Sequence, residues 1–356
     1  MKMTALIMAG GRGERFWPKS RKSLPKQFLS LTNDGKTMIQ LTVERILPLV
    51  AMEDIYIATN KDYKNLVIEQ LPEIPSENIL CEPIGKNTAP CIGLGAVHIS
   101  KKYEDAIMFV LASDHLIKYN SMFLNTLKDA ALIAEDNTNL VTLGITPDYP
   151  ETGYGYIKFN PNKCNGRAFS VERFVEKPSL ELAKEYLASE EYLWNSGMFV
   201  WKVSSILKKF NELLPDIYRG LMNIKEAISS SNETAVLNQE FTNFQSISVD
   251  YGIMEKSKDI YTLPGTFGWD DVGSWLALER IRKSNEFGNV VKGNVITVDS
   301  KDCIIEAGNK LIATVGIRDL IIVDTEEATL ICDKESAGDI KKVLDNLKIC
   351  NRNEYI

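Results

Sequence analysis

The chain has 356 residues, 25% of them charged, and a formal net charge of −7. That length sets a prior of about two domains and leaves enough chain to bury a sizeable core. The acidic balance argues against general affinity for nucleic acid or acidic membranes, and no apolar run approaches the ~20 residues of a membrane span. Thr4 to Ala9 (TALIMA) opens the chain as an apolar run that reads as a buried first strand. No basic segment, apolar stretch and small-residue cleavage site precede it, so a cytoplasmic location is expected. After the run come Gly10-Gly11-Arg12-Gly13-Glu14-Arg15-Phe16-Trp17-Pro18 and then Leu24-Pro25-Lys26-Gln27-Phe28. Three glycines in four positions let backbone N–H groups crowd an anion without interference from Cβ atoms. Arg15 offers a planar fork and Lys26 a point charge to the same phosphates. The glycines alone fit a surface turn equally well. A Walker loop would need Gly-Lys-Ser/Thr where Gly13-Glu14 stands; a dinucleotide fingerprint would need a third glycine, which is missing, and an uninterrupted helix start, which Pro18 breaks.

What remains, GGxGxRxWP followed by PKQF, resembles the nucleotidyltransferases that make sugar nucleotides, most closely their mannose-1-phosphate guanylyltransferase branch. The resemblance implies a Rossmann-like mixed, mostly parallel sheet flanked by helices. It implies catalytic roles for Arg15 and Lys26 and nucleotide contacts at Ala9, Gly10, Gly11 and Gly13.

Further along, Gln40–Leu49 reads as a helix, Asp54–Thr59 as a strand and Lys61–Leu71 as a helix, an alternation that predicts a parallel sheet with crossover helices. Glu82-Pro83-Ile84-Gly85-Lys86-Asn87-Thr88-Ala89-Pro90 follows. Asn87 or Thr88 can cap a helix over 89–102, or the same geometry can present donors to a base edge or phosphate. The segment is similar to the family's EPxxxNTAP motif, which implies that Glu82, Pro83, Asn87 and Thr88 contact the nucleotide. His98, set among Ala96, Val97 and Ile99, reads as a core or boundary residue.

Ala106–Ala112 (AIMFVLA) predicts a central strand buried on both faces, ending at Ser113-Asp114-His115. Ligands of open α/β sheets bind beyond the carboxyl ends of strands, so Asp114 is either a Mg²⁺ ligand or a helix cap. The family match favours the metal and adds Ser113 to the nucleotide site. A helix over 121–136 and a strand over 139–145 come next. Gly155 is a bulge or a close approach of sugar to backbone, and Glu176-Lys177-Pro178 closes a strand over 169–175. The family uses the glycine and the Glu-Lys pair on the sugar and its phosphate, and Asn195, in an otherwise core-like aromatic strand, is placed to hydrogen-bond sugar hydroxyls. Helices are predicted over 180–188, 204–214 and 216–229. A short strand is predicted over 247–251, with 252–255 as a cap on the sugar pocket. In Gly265–Trp275 (GTFGWDDVGSW), Asp270 and Asp271 are N-caps or metal ligands, and the W-x-D-x-G match puts the second ligand at Asp271, ahead of a helix over 273–283.

Between Asn289 and Asp333 short β-prone runs are separated by Gly, Asn and Asp turns, which predicts a small stacked β-domain of short left-handed β-helix type. A closing helix is expected over 334–347. The expected domains are residues 1–285, catalytic, and 286–356, β-rich, with a homodimer expected from exposed β-edges. Scattered cysteines without a C-x-x-C pair exclude zinc-type spacing, and two histidines exclude a His-rich metal site. Many relatives continue into a metal-dependent phosphomannose isomerase domain, and a chain ending at Ile356 without those histidines is expected to lack that activity. The implied reaction is mannose 1-phosphate plus GTP giving GDP-mannose and pyrophosphate. The alternatives are thymidylyl or uridylyl transfer to glucose 1-phosphate, a silent sugar-nucleotide-binding regulator, or a glycosyltransferase. The last would usually carry Asp-x-Asp where Asp114 is followed by His115-Leu116.

Overall fold

A computed structural model of the chain describes residues 1–11, 13–136 and 138–356. It divides into two compact units: Met1–Gly10, Thr42–Ser113 and Ile117–Trp269 form the first, and Gly11–Leu41, Asp114–Leu116 and Asp270–Ile356 the second.

In chain order the elements begin with β1 (Lys2–Met8), α1 (Met38–Ile46), β2 (Ile55–Asn60), α2 (Lys64–Gln70), β3 (Ile79–Glu82), α3 (Thr88–Lys102) and β4 (Ala106–Ala112). The two-residue β5 (Leu116–Ile117) precedes α4 (Asn120–Glu135), β6 (Leu140–Ile145), β7 (Gly155–Asn165), β8 (Ala168–Glu176), α5 (Leu180–Ser189) and β9 (Tyr192–Lys202). Then come α6 (Val203–Leu213), α7 (Pro215–Ala227), α8 (Glu233–Asn243), α9 (Val249–Gly252), β10 (Ile260–Gly265) and the short β11 (Trp269–Asp270).

The first unit is built on a nine-stranded sheet of order β3-β2-β1-β4-β9-β6-β10-β8-β7, with β7 also pairing β9. Pairing is parallel through β3-β2-β1-β4 and between β6 and β10, and antiparallel elsewhere. β1 is bracketed by β2 and β4, both parallel to it. Its carboxyl end is therefore the point where the strand order reverses, the usual ligand position in an open α/β sheet. The apolar run of β4 is buried from Ala106 to Leu111, as a strand covered on both faces must be. Helix α3 covers one face through Ile92, Val97 and Ile99 in a core with Leu6, Val110, Trp201 and Leu221. Gly95 of α3 lies so close to β1 that a Cβ there would meet Leu6 Cδ2 at 2.7 Å. The close packing of helix on sheet offsets the ~1 kcal/mol of helix propensity that a glycine forfeits.

The second unit adds α10 (Ala277–Ile281), β12 (Val290–Lys292), β13 (Val295–Val298), β14 (Ile304–Glu306), β15 (Ile312–Val315), β16 (Leu320–Asp324), β17 (Thr329–Asp333) and α11 (Ile340–Ile349). β12, β14 and β16 pair in parallel, with β17 antiparallel at the edge, and β13 pairs β15 in a second small sheet. Val295 pairs Ile312 and Ile304 pairs Ile321, seventeen residues on in each case, so the chain coils and stacks as the regular β-prone runs predict. Cys303, Ile305 and Ile322 fill the coil. Phe16, Trp17, Leu29 and Leu31 of the glycine-loop segment share one core with Trp275, Ile304, Ile321, Ile340 and Leu344. A buried ion pair reinforces it: Arg282 binds Glu306 and donates from Nε to Leu31 O at 2.8 Å, while Lys19 also binds Glu306.

Three predicted elements are corrected. Residues 247–251 are not a strand. Ser248 Oγ accepts from Tyr251 N at 3.2 Å and starts the single helical turn α9. The helix expected over 273–283 is confined to α10, because Val272 sits at φ +47 and the chain passes through a bend and turn at 274–276 before helix begins. The closing helix starts late: residues 334–339 are a 3₁₀ segment before α11. β3, β10 and α8 carry no counterpart in the sequence reading.

Candidate functional site

In the second unit a cavity of about 630 Å³ is lined by Gly13, Glu14, Arg15, Phe16, Lys26, Asp114, His115, Asp271, Gly273, Gly338 and Lys341. Five sequence-predicted residues thus share one cavity: Gly13, Arg15, Lys26, Asp114 and Asp271. The Lys26 side chain is buried, and its ammonium lies 2.9 Å from Asp114 Oδ2 and donates to Asp271 O at 2.6 Å. Burial alone would raise the Asp114 carboxyl, but Lys26 and His115 outweigh it and hold it below the ordinary carboxylate range. Arg15 is exposed, with Nη1 3.4 Å from Gly273 O.

Local backbone explains the motif glycines. Gly13 sits at φ +59, and a Cβ there would lie 2.3 Å from Lys26 Cβ, so only glycine lets the loop cross the lysine. Gly11 O accepts from Gln27 Nε2 at 3.0 Å, which ties the glycine loop to the PKQF segment. In the W-x-D-x-G turn, Asp270 is buried, pairs with Arg280 through Nε at 2.6 Å, and accepts from Val272 N at 2.8 Å. Asp270 therefore holds the turn while Asp271 lines the cavity. A Cβ on Gly273 would lie 2.6 Å from Asp271 Oδ2, which accounts for the glycine two residues on.

In the first unit, Ala9 N donates to Ala58 O at 2.7 Å, and Ser113 N to Met8 O at 3.1 Å. Both predicted nucleotide residues thus extend the sheet ladder past the carboxyl ends of β1 and β4. Glu82 ends β3. It is only 5% exposed, its Oε1 has no hydrogen-bond partner, and its Oε2 lies 3.3 Å from where a Cβ on Gly10 would sit. Burial pushes its carboxyl up to about 7, against a lowering by the Cys91 thiol that donates to it. A buried carboxylate oxygen without a donor is costly unless a ligand supplies one. Pro83 follows it into the loop. Asn87 adopts φ +69 and accepts from Thr88 N at 2.8 Å, capping α3. Thr88 Oγ1 accepts from Val249 N at 2.9 Å and so fixes α9.

The predicted sugar residues lie on neighbouring strands of the same sheet. Gly155 of β7 pairs with Glu176 of β8, and a Cβ on Gly155 would meet Glu176 Oε1 at 2.7 Å and Asn195 Cβ at 3.5 Å. Lys177 follows at φ +43, exposed, and its charge only partly offsets the rise of the Glu176 carboxyl. Sequence reasoning missed Asp250. It lies on α9 and accepts from Asn195 Nδ2 at 2.8 Å. Burial and the mutual repulsion of Glu176, Asp250 and Glu255 raise the Glu176 and Glu255 carboxyls, and burial raises that of Asp250. The signal was available: an aspartate follows the Ser-Val that starts a capped turn. His98 is a half-buried boundary residue of α3, as expected, with burial pulling its pKa down to about 4.

Comparison with known proteins places the chain in a family. The family model for Nucleotidyl transferase matches residues 4–286, and that for the MannoseP isomerase/GMP-like beta-helix domain matches residues 293–347. The mannose-1-phosphate guanylyltransferase of Salmonella muenchen is 42% identical over 99% of this chain and 75% of its own length. A solved structure from Thermus thermophilus, a mannose-1-phosphate geranyltransferase, is 34% identical with a TM-score of 0.89, covering 98% of this chain and 100% of that one. The mannose-6-phosphate isomerase of Helicobacter pylori is 29% identical with a TM-score of 0.61, covering 76% of this chain and 100% of that one. No helix among the described residues is long and apolar enough to cross a membrane.

Proposed function

The chain belongs to the nucleotidyl transferase family, and from that premise we propose that it transfers GMP from GTP to mannose 1-phosphate, releasing pyrophosphate. The observation that carries this reading is the cavity in which Arg15 and Lys26 stand with the two carboxylates Asp114 and Asp271. A phosphate oxygen of mannose 1-phosphate attacks the α-phosphorus of GTP. The new P–O bond forms as the α–β bridging P–O bond breaks, and its electron pair leaves with pyrophosphate. The nucleophile is already anionic, so no general base is needed, and the protein's contribution is position and charge.

Arg15 and Lys26 stabilise the charge that builds on the transferred and departing phosphates. Backbone N–H groups of Gly11 and Gly13, with Ala9, Gly10 and Ser113, hold the nucleotide. The donor set fits Mg²⁺: two carboxylates line one cavity, and Asp114 is kept ionised by its surroundings. When bound there, Mg²⁺ neutralises α-phosphate charge. The base is read at Glu82 with Pro83, Asn87 and Thr88. Guanine presents two adjacent donors, N1–H and the 2-amino group, and a carboxylate with a partnerless oxygen accepts both. Uracil and thymine present one N–H between two carbonyls, which a carboxylate repels. Glu176, Asn195 and Gly155 meet the mannose hydroxyls, Lys177 its phosphate, and Asp250 orients Asn195.

The same reading takes residues 1–285 as the catalytic domain and 286–356 as the β-rich domain, the chain as a homodimer, and the cytoplasm as its site of action. The test is pyrophosphate release from four NTPs against mannose, glucose and N-acetylglucosamine 1-phosphates with Mg²⁺, with mannose 6-phosphate isomerisation assayed alongside. GTP with mannose 1-phosphate should dominate and be abolished by EDTA. Dominance of UTP or dTTP with glucose 1-phosphate would overturn the base and sugar assignment. Isomerisation without pyrophosphate release would overturn the reaction itself.

A further inference from the structure

We propose that Lys341, from the C-terminal helix α11, is a third phosphate-binding cation of the nucleotidyl-transfer site and holds the pyrophosphate end of the nucleotide; the inference rests on the function proposed above. No motif of the catalytic segment contains it, and the sequence reading ended the site at Asp271. The structure adds it because residues 11–41 and 270–356 form one compact unit. Ile340 and Leu344 bury the apolar face of α11 in the core that also contains Phe16 and Trp17. That packing fixes the helix against the glycine-loop segment. It leaves Lys341, the second residue of α11, on the lining of the cavity with Gly13, Arg15 and Lys26.

Charge gives Lys341 a reason to be there. The cavity lining carries Glu14, Asp114 and Asp271 on one side of the balance and Arg15, Lys26 and Lys341 on the other. Without Lys341 the lining would be net negative, which opposes entry of a triphosphate. Lys26 is already engaged by Asp114 at 2.9 Å and by Asp271 O. Lys341 has no ion-pair partner among the described residues, whereas its neighbour Lys342 pairs with Asp339 at 2.9 Å, does not line the cavity and serves as a control. An exposed ammonium without an ion-pair partner suits the departing phosphates, because a point charge on a flexible stem can meet pyrophosphate in more than one orientation.

The experiment combines calorimetric titration of magnesium pyrophosphate into the full chain with steady-state kinetics in both directions, for wild type, Lys341→Ala, Lys341→Gln, Lys341→Arg and Lys342→Ala. Loss of one charge-assisted phosphate contact should weaken pyrophosphate binding, and raise KM for GTP, by about tenfold in Lys341→Ala and Lys341→Gln. KM for mannose 1-phosphate should stay unchanged, and Lys341→Arg should recover most of the loss. Lys342→Ala should behave as wild type. Wild-type pyrophosphate affinity and GTP KM in both Lys341→Ala and Lys341→Gln would overturn the proposal, as would an equal effect from Lys342→Ala. If wild type turns over no nucleotide, the functional reading fails separately, and the pyrophosphate titration still decides the role of Lys341.

Discussion

Replacing Glu82 by glutamine should make the ligand-free protein more stable and its GTP complex weaker. The side chain is 5% exposed, has one oxygen without a partner, and has a carboxyl raised by burial from 4.5 to about 7. For a carboxyl raised in the folded state, the stability contribution is fully present below pH 4.5 and is lost as pH rises through about 7. Between those values the unfolded chain is ionised while the folded one still holds its proton. At 1.36 kcal/mol per pH unit, the interval is worth about 3 kcal/mol. Glutamine does not titrate, so Glu82→Gln should gain about 1 kcal/mol over wild type at pH 5.5 and about 3 kcal/mol at pH 8.5. Guanine binding reverses the order, because two donors meet the ionised wild-type carboxylate. Losing those charge-assisted bonds should weaken GTP by roughly 10- to 100-fold. Since only the ionised form accepts both donors, wild-type GTP affinity should also fall as pH drops below about 7. Denaturant melts at the two pH values, with calorimetry of GTP binding, check every step. A variant that gains no stability at pH 8.5, or that binds GTP as tightly as wild type, would refute the argument.

Three further outcomes follow from the second unit. Lys26→Ala should lower kcat by roughly 10²–10³, the range for removing a preorganised charge-stabilising donor, while circular dichroism stays native; near wild-type turnover would remove Lys26 from the machinery. Gly13→Ala should reproduce part of that loss, because φ +59 and a 2.3 Å approach to Lys26 Cβ force the lysine to shift; unchanged kcat would show that the loop relaxes freely. Glu306→Ala removes the partner of the buried Arg282 and of Lys19, and should cost about 3–5 kcal/mol in urea unfolding. A cost below about 1 kcal/mol would mean that the pair contributes little, as for an exposed one.

The centre of the first unit's sheet is readable because a strand such as β4 is one continuous apolar run. AIMFVLA admits one interpretation when no charge or breaker interrupts it, and β4 is buried from Ala106 to Leu111. β10 escapes for the opposite reason: Thr262, Pro264 and Gly265 break its apolar run, and it is held by parallel pairing to β6. α8 escapes because Asn238, Gln239, Glu240 and Asn243 leave little apolar periodicity, and Phe241 is its one buried residue. The stretch at 247–251 looks like a strand by its Ile and Val, but the Ser248 cap and the Thr88 hydroxyl impose a helical turn. That local misreading also hid Asp250. Lys341 was hidden by an amphipathic pattern, which reports the buried face of α11 and is silent about which exposed position borders a cavity. The glycine, Lys26, Asp114 and Asp271 motifs were visible as patterns. That they line one cavity is a tertiary fact, created by a core that Phe16 and Trp17 share with the C-terminal strands and helix.

The most direct test of the proposed reaction follows the α-phosphorus itself. GTP labelled at that position is incubated with mannose 1-phosphate, Mg²⁺ and the purified chain, and the products are separated. The account predicts that all transferred label appears in GDP-mannose, none in pyrophosphate, with one pyrophosphate released per label transferred. Label that remains in GTP, or that leaves as GMP or GDP without joining the sugar phosphate, would contradict it.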